Sequence, residues 1–215
     1  MKNNSLLQYA SVAALLLCSQ LSHAGWTLDN KQSQLNFVSI KKSKVAELHY
    51  FKVLNGSLND KGEAKISIDL ASVETNIGIR NERMQTMLFE SDAFPKATIT
   101  GMFDANRIKN LKSGEHFNIP QQVELSLHGR TQVLTGMVKI VKLTKQEVLV
   151  TTLQPIIVKA DDFALLAGIE KLREIAGLPS IATSVPVTFS FVFKTANPTL
   201  IVTSPNSGKS CSAIA

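Results

Sequence analysis

The feature that most constrains the fold is an alternation of apolar and polar residues that recurs along the chain. Residues 63–70 show it plainly, because Ala64, Ile66, Ile68 and Leu70 are apolar and polar residues separate them. A period of two places all four side chains on one face of a β-strand. The pattern therefore predicts a strand with one apolar face and one solvated face.

Comparable segments predict the remaining strands of a mainly β fold. They cover residues 26–29, 35–40, 45–58, 97–104, 123–127, 132–143, 147–158 and 185–193. Around eight to ten one-faced strands in one small domain favour a closed barrel, because closure leaves no sheet edge unpaired. A barrel of about eight strands either fills its interior with side chains or leaves room for one elongated ligand. Composition does not decide between the two.

Two stretches have helical spacing instead. In residues 79–89, Met84, Met87 and Leu88 lie three and four positions apart, and charged residues lie on the opposite side. Residues 169–176 repeat this spacing and are followed by glycine and proline, which end helices. The sequence therefore predicts two short helices between the strands.

Three linked motifs around the first helix resemble the YceI-like family. They are Ser72-Val73-Glu74-Thr75 at a strand end, Arg80-Asn81-Glu82-Arg83-Met84 at the helix, and Phe89-Glu90-Ser91-Asp92-Ala93-Phe94-Pro95 at the turn that follows. Leu125-Ser126-Leu127-His128-Gly129-Arg130-Thr131 is similar to a turn between two barrel strands in that family. The order and spacing of these motifs are more specific than any one of them.

The resemblance covers roughly residues 26–194 and implies a fold and a function. Proteins of this family are small, exported and lipid-binding, and they have a lipocalin-like antiparallel β-barrel that holds a polyisoprenoid chain. The resemblance is weaker at residues 160–164, where Ala160 and Ala164 stand in place of an arginine and a glycine that the family tends to have. A role for that arginine is therefore not carried over to this chain.

The ends of the chain predict export and a tail. Residues 1–24 read as a cleavable signal peptide, with Lys2, an apolar core at residues 12–17 and a small-x-small cleavage site at Ser22-His23-Ala24. We therefore expect a periplasmic protein in which residues 25–195 form the barrel. Residues 196–215 are rich in Pro, Ser, Asn and Gly and predict a disordered tail.

Cysteine usage and hydropathy argue against a lipoprotein, a disulfide-bonded fold and a membrane-spanning helix. A lipoprotein cleavage site has a small residue directly before its cysteine, but Leu17 precedes Cys18. We therefore interpret Cys18 as part of the signal peptide that is cleaved off. Cleavage leaves only Cys211, and a single cysteine forms no internal disulfide. No apolar run after residue 24 reaches the roughly 20 residues that a membrane-spanning helix needs.

Charge argues against nucleic acid as a partner. The formal net charge is +6, and the basic residues are scattered rather than concentrated on one element. A nucleic-acid-binding domain would show a basic helix or aromatic residues among its lysines. The expected partner is a polyisoprenoid or another amphiphilic lipid. The sequence also leaves open whether the protein forms a homodimer.

No group of residues in the sequence indicates catalysis or a metal site. His49, His116 and His128 have no second ligand at metal spacing, and HxH, HExxH, CxxC and GxSxG patterns are absent. We therefore expect a protein that is not an enzyme and has no cofactor, with a bound polyisoprenoid lipid or quinone as its ligand.

The resemblance implies an apolar tube for a prenyl chain, and inward apolar side chains are its candidate lining. These are Phe37, Phe51, Ile66, Ile68, Leu70, Met84, Met87, Leu88, Leu125, Leu127, Phe189 and Phe191. A filled core is the alternative explanation for each of them. Each buried CH₂ group contributes about 0.8 kcal/mol, so several prenyl units would bind tightly without polar contacts.

Specificity for the head group would then arise at the mouth of the barrel. The candidate cations for a pyrophosphate are Lys41, Lys42 and Lys44, or Arg80 and Arg83. The alternative is that all of them are solvated surface charges. A neutral quinone head group would not need them.

Two other classes of protein stay open. A small outer-membrane β-barrel has the right signal and strand count, but one Trp and two Tyr are too few for two aromatic girdles. A barrel enzyme that acts on a lipid would use the same pocket, and the sequence offers no catalytic residues for it.

Overall fold

A computed structural model describes residues 25–195 of the chain. The predicted signal peptide, the predicted tail, Cys18 and Cys211 lie outside the described residues. The strands are β1 Trp26–Leu28, β2 Gln34–Lys41, β3 Val45–Phe51, β4 Leu54–Leu58, β5 Glu63–Asp69, β6 Val73–Glu74, β7 Lys96–Met102, β8 His116–Leu127, β9 Arg130–Thr144, β10 Glu147–Thr152, β11 Ile156–Lys159 and β12 Ser184–Thr195.

Short helical segments connect some of these strands. The α-helices are α1 Gly78–Arg83, α2 Ala105–Asn110 and α3 Leu166–Ile175, and a π-helical turn at Met84–Leu88 continues α1. Turns of 3₁₀ helix occupy Leu70–Ser72 and Asp161–Phe163. The structure therefore contains both predicted helices and adds α2, which the alternation did not predict.

The strands close into an antiparallel barrel, as predicted. Around the barrel their order is β1, β4, β5, β7, β8, β9, β10 and β12, and β12 pairs with β1 to complete the circle. Trp26 pairs with Thr195 at this closure. The fold is thus a closed eight-stranded barrel with few short helices.

Three of the eight barrel strands are interrupted along their length. β1 and β2 follow one another along one edge of β12, and β10 and β11 follow one another along its other edge. β3 and β4 form the third interrupted strand. Pro155 lies in the break between β10 and β11, where its missing N–H costs no ladder bond.

Among the element boundaries that differ from the sequence prediction, two have a clear physical reason. The strand after residue 97 ends at Met102 rather than at Asp104, because the Asp104 carboxylate accepts a hydrogen bond from the Arg107 backbone N–H at 2.9 Å and begins α2. β8 begins at His116 rather than near Val123, because the long β9 pairs with all of it.

Helical segments cover both ends of the barrel. At one end α2 buries Ile108 completely, and Phe103 and Leu111 pack against the same core. At the other end α3 packs on the π-helical turn, where a Cβ on Gly168 would lie 2.6 Å from the Met87 carbonyl oxygen. This close approach leaves no room for a side chain at residue 168.

Ala164 carries backbone strain that glycine would relieve. It ends the 3₁₀ turn Asp161–Phe163 with φ 57° and ψ 27°, in the left-handed region. We expect Ala164→Gly to raise the free energy of unfolding by about 0.5–1 kcal/mol, because a Cβ is disfavoured there. Urea unfolding measures this, and Ala71→Gly in the other 3₁₀ turn is the control. Ala71 has no positive φ, so its change to glycine should lower the stability.

Candidate ligand-binding cavity

The barrel encloses a cavity of about 180 Å³. Strands β2 to β5 and β7 to β12 contribute to its wall, and Gln121 is the single polar side chain among the lining residues. The Gln121 amide already donates hydrogen bonds to the backbone oxygens of Met102, at 3.0 Å, and Gln122, at 2.6 Å. Apolar cavities of about 150 Å³ stay dry and take up apolar molecules. The cavity is therefore suited to an apolar chain rather than to water.

Most of the side chains proposed from the sequence as ligand contacts lie on this wall. They are Phe37, Phe51, Ile66, Ile68, Leu70, Leu88, Leu125, Leu127, Phe189 and Phe191. Phe37 contacts Phe51 with ring centroids 5.4 Å apart, and Phe51 contacts Phe89 at 5.7 Å. The alternation thus brings its inward side chains together around one space.

Met84 and Met87, in contrast, are not among the lining residues. They belong to the π-helical turn, in which the Phe89 backbone N–H donates to the Met84 carbonyl at 2.9 Å, five residues earlier. The wider turn brings Leu88 and Phe89, rather than Met84 and Met87, to the cavity. Met84 is buried in the surrounding core instead.

Strand pairing adds lining residues that sequence reasoning missed. Ile68 pairs with Ala97 and Ile66 pairs with Ile99, and directly paired residues point to the same face of a sheet. Ala97 and Ile99 therefore follow from the predicted inward residues once the β5–β7 register is known. At the α3 end, Leu165 and Ile169 also line the cavity.

The predicted head-group cations do not form one cluster. Lys41 Nζ and Arg80 Nη1 lie 2.9 and 2.8 Å from the same oxygen of Glu47, Oε2. Hydrogen bonding by Lys41, and then by Arg80, lowers the pKa of the Glu47 carboxyl, so it stays ionised and offsets part of their charge. Lys42 and Lys44 are exposed in the β2–β3 turn, and Arg83 is half-buried on α1.

His49 packs against Phe37, which lines the cavity, and is 1% exposed. Its Nε2 is 2.8 Å from Ser39 Oγ, and its ring centroid is 5.2 Å from that of Phe37. Burial, assisted by the charge of Arg80, lowers the pKa of His49 below its ordinary value of 6.5. The imidazole is therefore neutral at neutral pH, as burial beside an apolar wall requires.

This arrangement predicts a pH-dependent stability. The pKa of His49 is lower in the folded chain than in the unfolded chain, so the unfolded chain binds the extra proton as the pH falls below about 6.5. We expect the free energy of unfolding to be smaller at about pH 5.5 than at about pH 7.5. Urea unfolding of His49→Gln at both values should show a smaller difference. An equal difference in both proteins would assign the effect to other groups.

Two features of other protein classes are missing from the described residues. Within residues 25–195, no three His, Cys, Asp or Glu side chains are grouped as metal ligands would be. Among the helices of this same part of the chain, none combines the length and the apolar character that crossing a membrane demands.

Comparisons with known proteins agree with the fold. The model of the YceI-like domain family matches residues 26–193. A solved polyisoprenoid binding domain from Saccharophagus degradans, implicated in plant cell wall breakdown, is 39% identical with a TM-score of 0.79. That match covers 80% of this chain and 99% of the other. None of the curated proteins matches the chain.

Two further solved structures share the fold at lower identity. BcnA from Burkholderia cenocepacia is 18% identical with a TM-score of 0.60, and the match covers 77% of this chain and 98% of that one. The YceI protein of Campylobacter jejuni is 13% identical with a TM-score of 0.50, and the match covers 69% and 85% of the two chains. At these identities the likeness concerns the fold alone.

Proposed function

The chain belongs to the YceI-like family, and we propose that it is an exported protein that binds a polyisoprenoid lipid inside its barrel. The ligand is an elongated amphiphile, either a prenyl quinone or a prenyl phosphate, held for transport, storage or protection. The observation that carries this proposal is the apolar cavity inside the barrel, whose lining contains one polar side chain and no ionisable one. The 39% identity to a polyisoprenoid binding domain supports the class of ligand.

The chemistry of the cavity favours a prenyl tail over a polar ligand. Its wall presents branched aliphatic and phenylalanine side chains, and its one amide group is already hydrogen-bonded. Each CH₂ group transferred from water to such a wall contributes about 0.8 kcal/mol. A polar ligand would leave hydrogen-bonding groups unpaired, at a cost of about 1–3 kcal/mol for each.

The distribution of polar and apolar faces supports a water-facing barrel. An outer-membrane barrel has an apolar outer band and a polar interior. Here the interior is apolar, and outward positions such as Lys65, Gln122 and Glu124 are exposed. This orientation favours the lipid-binding proposal over the outer-membrane alternative.

The same lining argues for binding rather than for turnover. A barrel enzyme would need an acid, a base or a nucleophile at the cavity wall. Among the residues that line the cavity, none has an ionisable side chain. The proposal is accordingly one of a binding protein.

Lipid analysis of protein purified without detergent tests the proposal. We expect native mass spectrometry to show one prenyl lipid per chain, and organic extraction to identify its head group as a quinone or a phosphate. The intact mass of the same sample tests export, because signal cleavage would leave a chain that begins at Gly25. An empty protein that also takes up no added prenyl quinone or prenyl phosphate would refute the ligand proposal.

A further inference from the structure

The barrel wall has a lateral gap between β9 and β11. The ladder between β9 and β10 ends where Thr152 pairs with Val138, and the Leu153 backbone N–H then donates to the Met137 carbonyl at 2.9 Å. Beyond this point β11 pairs with β12 alone. Within the described part of the chain, no ladder joins residues 131–136 of β9 to β11.

Side-chain packing, rather than backbone hydrogen bonding, closes this lateral gap. A Cβ on Gly136 would lie 2.7 Å from Cδ1 and 2.8 Å from Cγ1 of Ile156. The Ile156 side chain therefore rests directly on the backbone of Gly136. Near α3, the Gln132 side chain donates to the Asp162 carbonyl at 3.3 Å and marks the other limit of the gap.

The lateral gap is also where the inside and the outside of the barrel come closest. Leu134, Gly136 and Ile156 line the inner cavity and also line an outer groove of about 460 Å³. A rotation of the single Ile156 side chain would therefore connect the two spaces. Rotamer changes of this kind are fast compared with movements of whole helices.

The rim of the lateral gap is apolar on its outer side. Val133 is 60% exposed and Ile157 is 49% exposed, and both line the outer groove together with Met137. Apolar side chains on a rim let a lipid tail stay in apolar contact while it leaves a bilayer or a carrier. Exposed apolar residues grouped around an opening commonly mark such binding surfaces.

Opening the barrel at either end would disrupt more packing than opening it at the lateral gap. Ile108 of α2 is 1% exposed under the first end. At the second end, Gly168 of α3 lies against the Met87 backbone without space for a methyl group. Opening either end requires a packed helix to move away from the core.

We propose that the lateral gap is the portal through which the lipid enters and leaves the barrel, and that Ile156 is its gate. This inference rests on the proposed function and adds the route of exchange. The tail passes between β9 and β11. The ladder between β10 and residues 138–144 of β9 stays intact during this passage.

A disulfide across the lateral gap provides the test. The 2.8 Å approach to Cγ1 places the two Cβ atoms no farther apart than about 4.3 Å, and disulfides have Cβ separations of about 3.5–4.5 Å. Gly136→Cys and Ile156→Cys are combined with Cys18→Ser and Cys211→Ser, which remove the two native cysteines. Thiol titration and intact mass verify the disulfide.

The readout is exchange of geranylgeranyl benzoquinone and geranylgeranyl pyrophosphate with phosphatidylcholine vesicles. We expect oxidation of the cysteine pair to slow uptake and release at least tenfold, and reduction to restore both rates. The chain with only the serine changes, given the same oxidant, controls for other effects. Ile156→Ala should speed release, whereas Leu48→Ala on the exposed face of β3 should not.

The outcomes separate the two proposals. Equal rates in the oxidised and reduced forms, with the disulfide present, would overturn the portal and place the route at an end of the barrel. Binding would then still stand. If the chain with only the serine changes binds neither lipid, the proposed function fails and the portal fails with it.

Discussion

Ala97→Phe is expected to weaken prenyl-lipid binding by about three orders of magnitude while leaving the barrel folded. Ala97 is buried on β7 and lines the cavity opposite Ile68. A benzyl group at this position occupies space that about five CH₂ groups of a ligand would fill, which corresponds to about 4 kcal/mol. The dissociation constant should therefore rise roughly 1000-fold. Titration with geranylgeranyl benzoquinone, followed by tryptophan fluorescence or calorimetry, measures the change.

The control places the same ring on the other face of the same strand. Thr98 is adjacent to Ala97 and does not line the cavity, so Thr98→Phe should bind the lipid as the parent chain does. The thermal unfolding midpoint of Ala97→Phe should be unchanged or higher in the absence of lipid, because the ring fills a dry space. Full binding by Ala97→Phe would mean that the ligand lies elsewhere.

Gly62→Ala is expected to destabilise the fold by about 3 kcal/mol or more. Gly62 has φ 91°, and a Cβ there would lie 1.9 Å from the Phe103 carbonyl oxygen. The Phe103 backbone N–H also donates to the Gly62 carbonyl at 2.8 Å, so this turn is held against the segment that leads into α2. A methyl group would separate the two segments as well as strain the turn.

Gly114→Ala isolates the contribution of the backbone conformation. Gly114 has φ 88°, and a Cβ added there would meet nothing within 4 Å beyond its own chain neighbours. Its change to alanine should cost only about 1 kcal/mol. The free energy of unfolding in urea, measured for both variants, gives the comparison. If Gly62→Ala and Gly114→Ala lowered the free energy of unfolding by similar amounts, the contact between residue 62 and Phe103 would contribute little to stability.

The strands and their inward faces were predictable because the signal for them is local. Ile66 and Ile68 on β5, and Phe189 and Phe191 on β12, alternate with polar neighbours, and burial of one face enforces that period. The closed barrel followed from the number of such strands, since a small domain cannot leave many strand edges exposed.

The parts that were not predicted depend on contacts between distant residues. Glu47 pairs with both Lys41 and Arg80, and nothing in the local sequence around Arg80 indicates that partner. Met84 and Met87 lie in the π-helical turn and do not line the cavity, and the packing of Gly168 against this turn is a contact between residues far apart in the sequence. The lateral gap likewise exists because β11 pairs with β12 and not with β9, and the local sequence does not indicate this.

The pairing of β12 has a consequence for how the protein folds. β12 is the last described strand, and it joins the first described strands, β1 and β2, to β10 and β11. These contacts span almost the whole barrel sequence, and folding slows as the average sequence separation of native contacts grows. The barrel cannot close until β12 has been synthesised. Until then the cavity-facing side chains stay accessible, so a chaperone that holds unfolded chains would find its binding sites there.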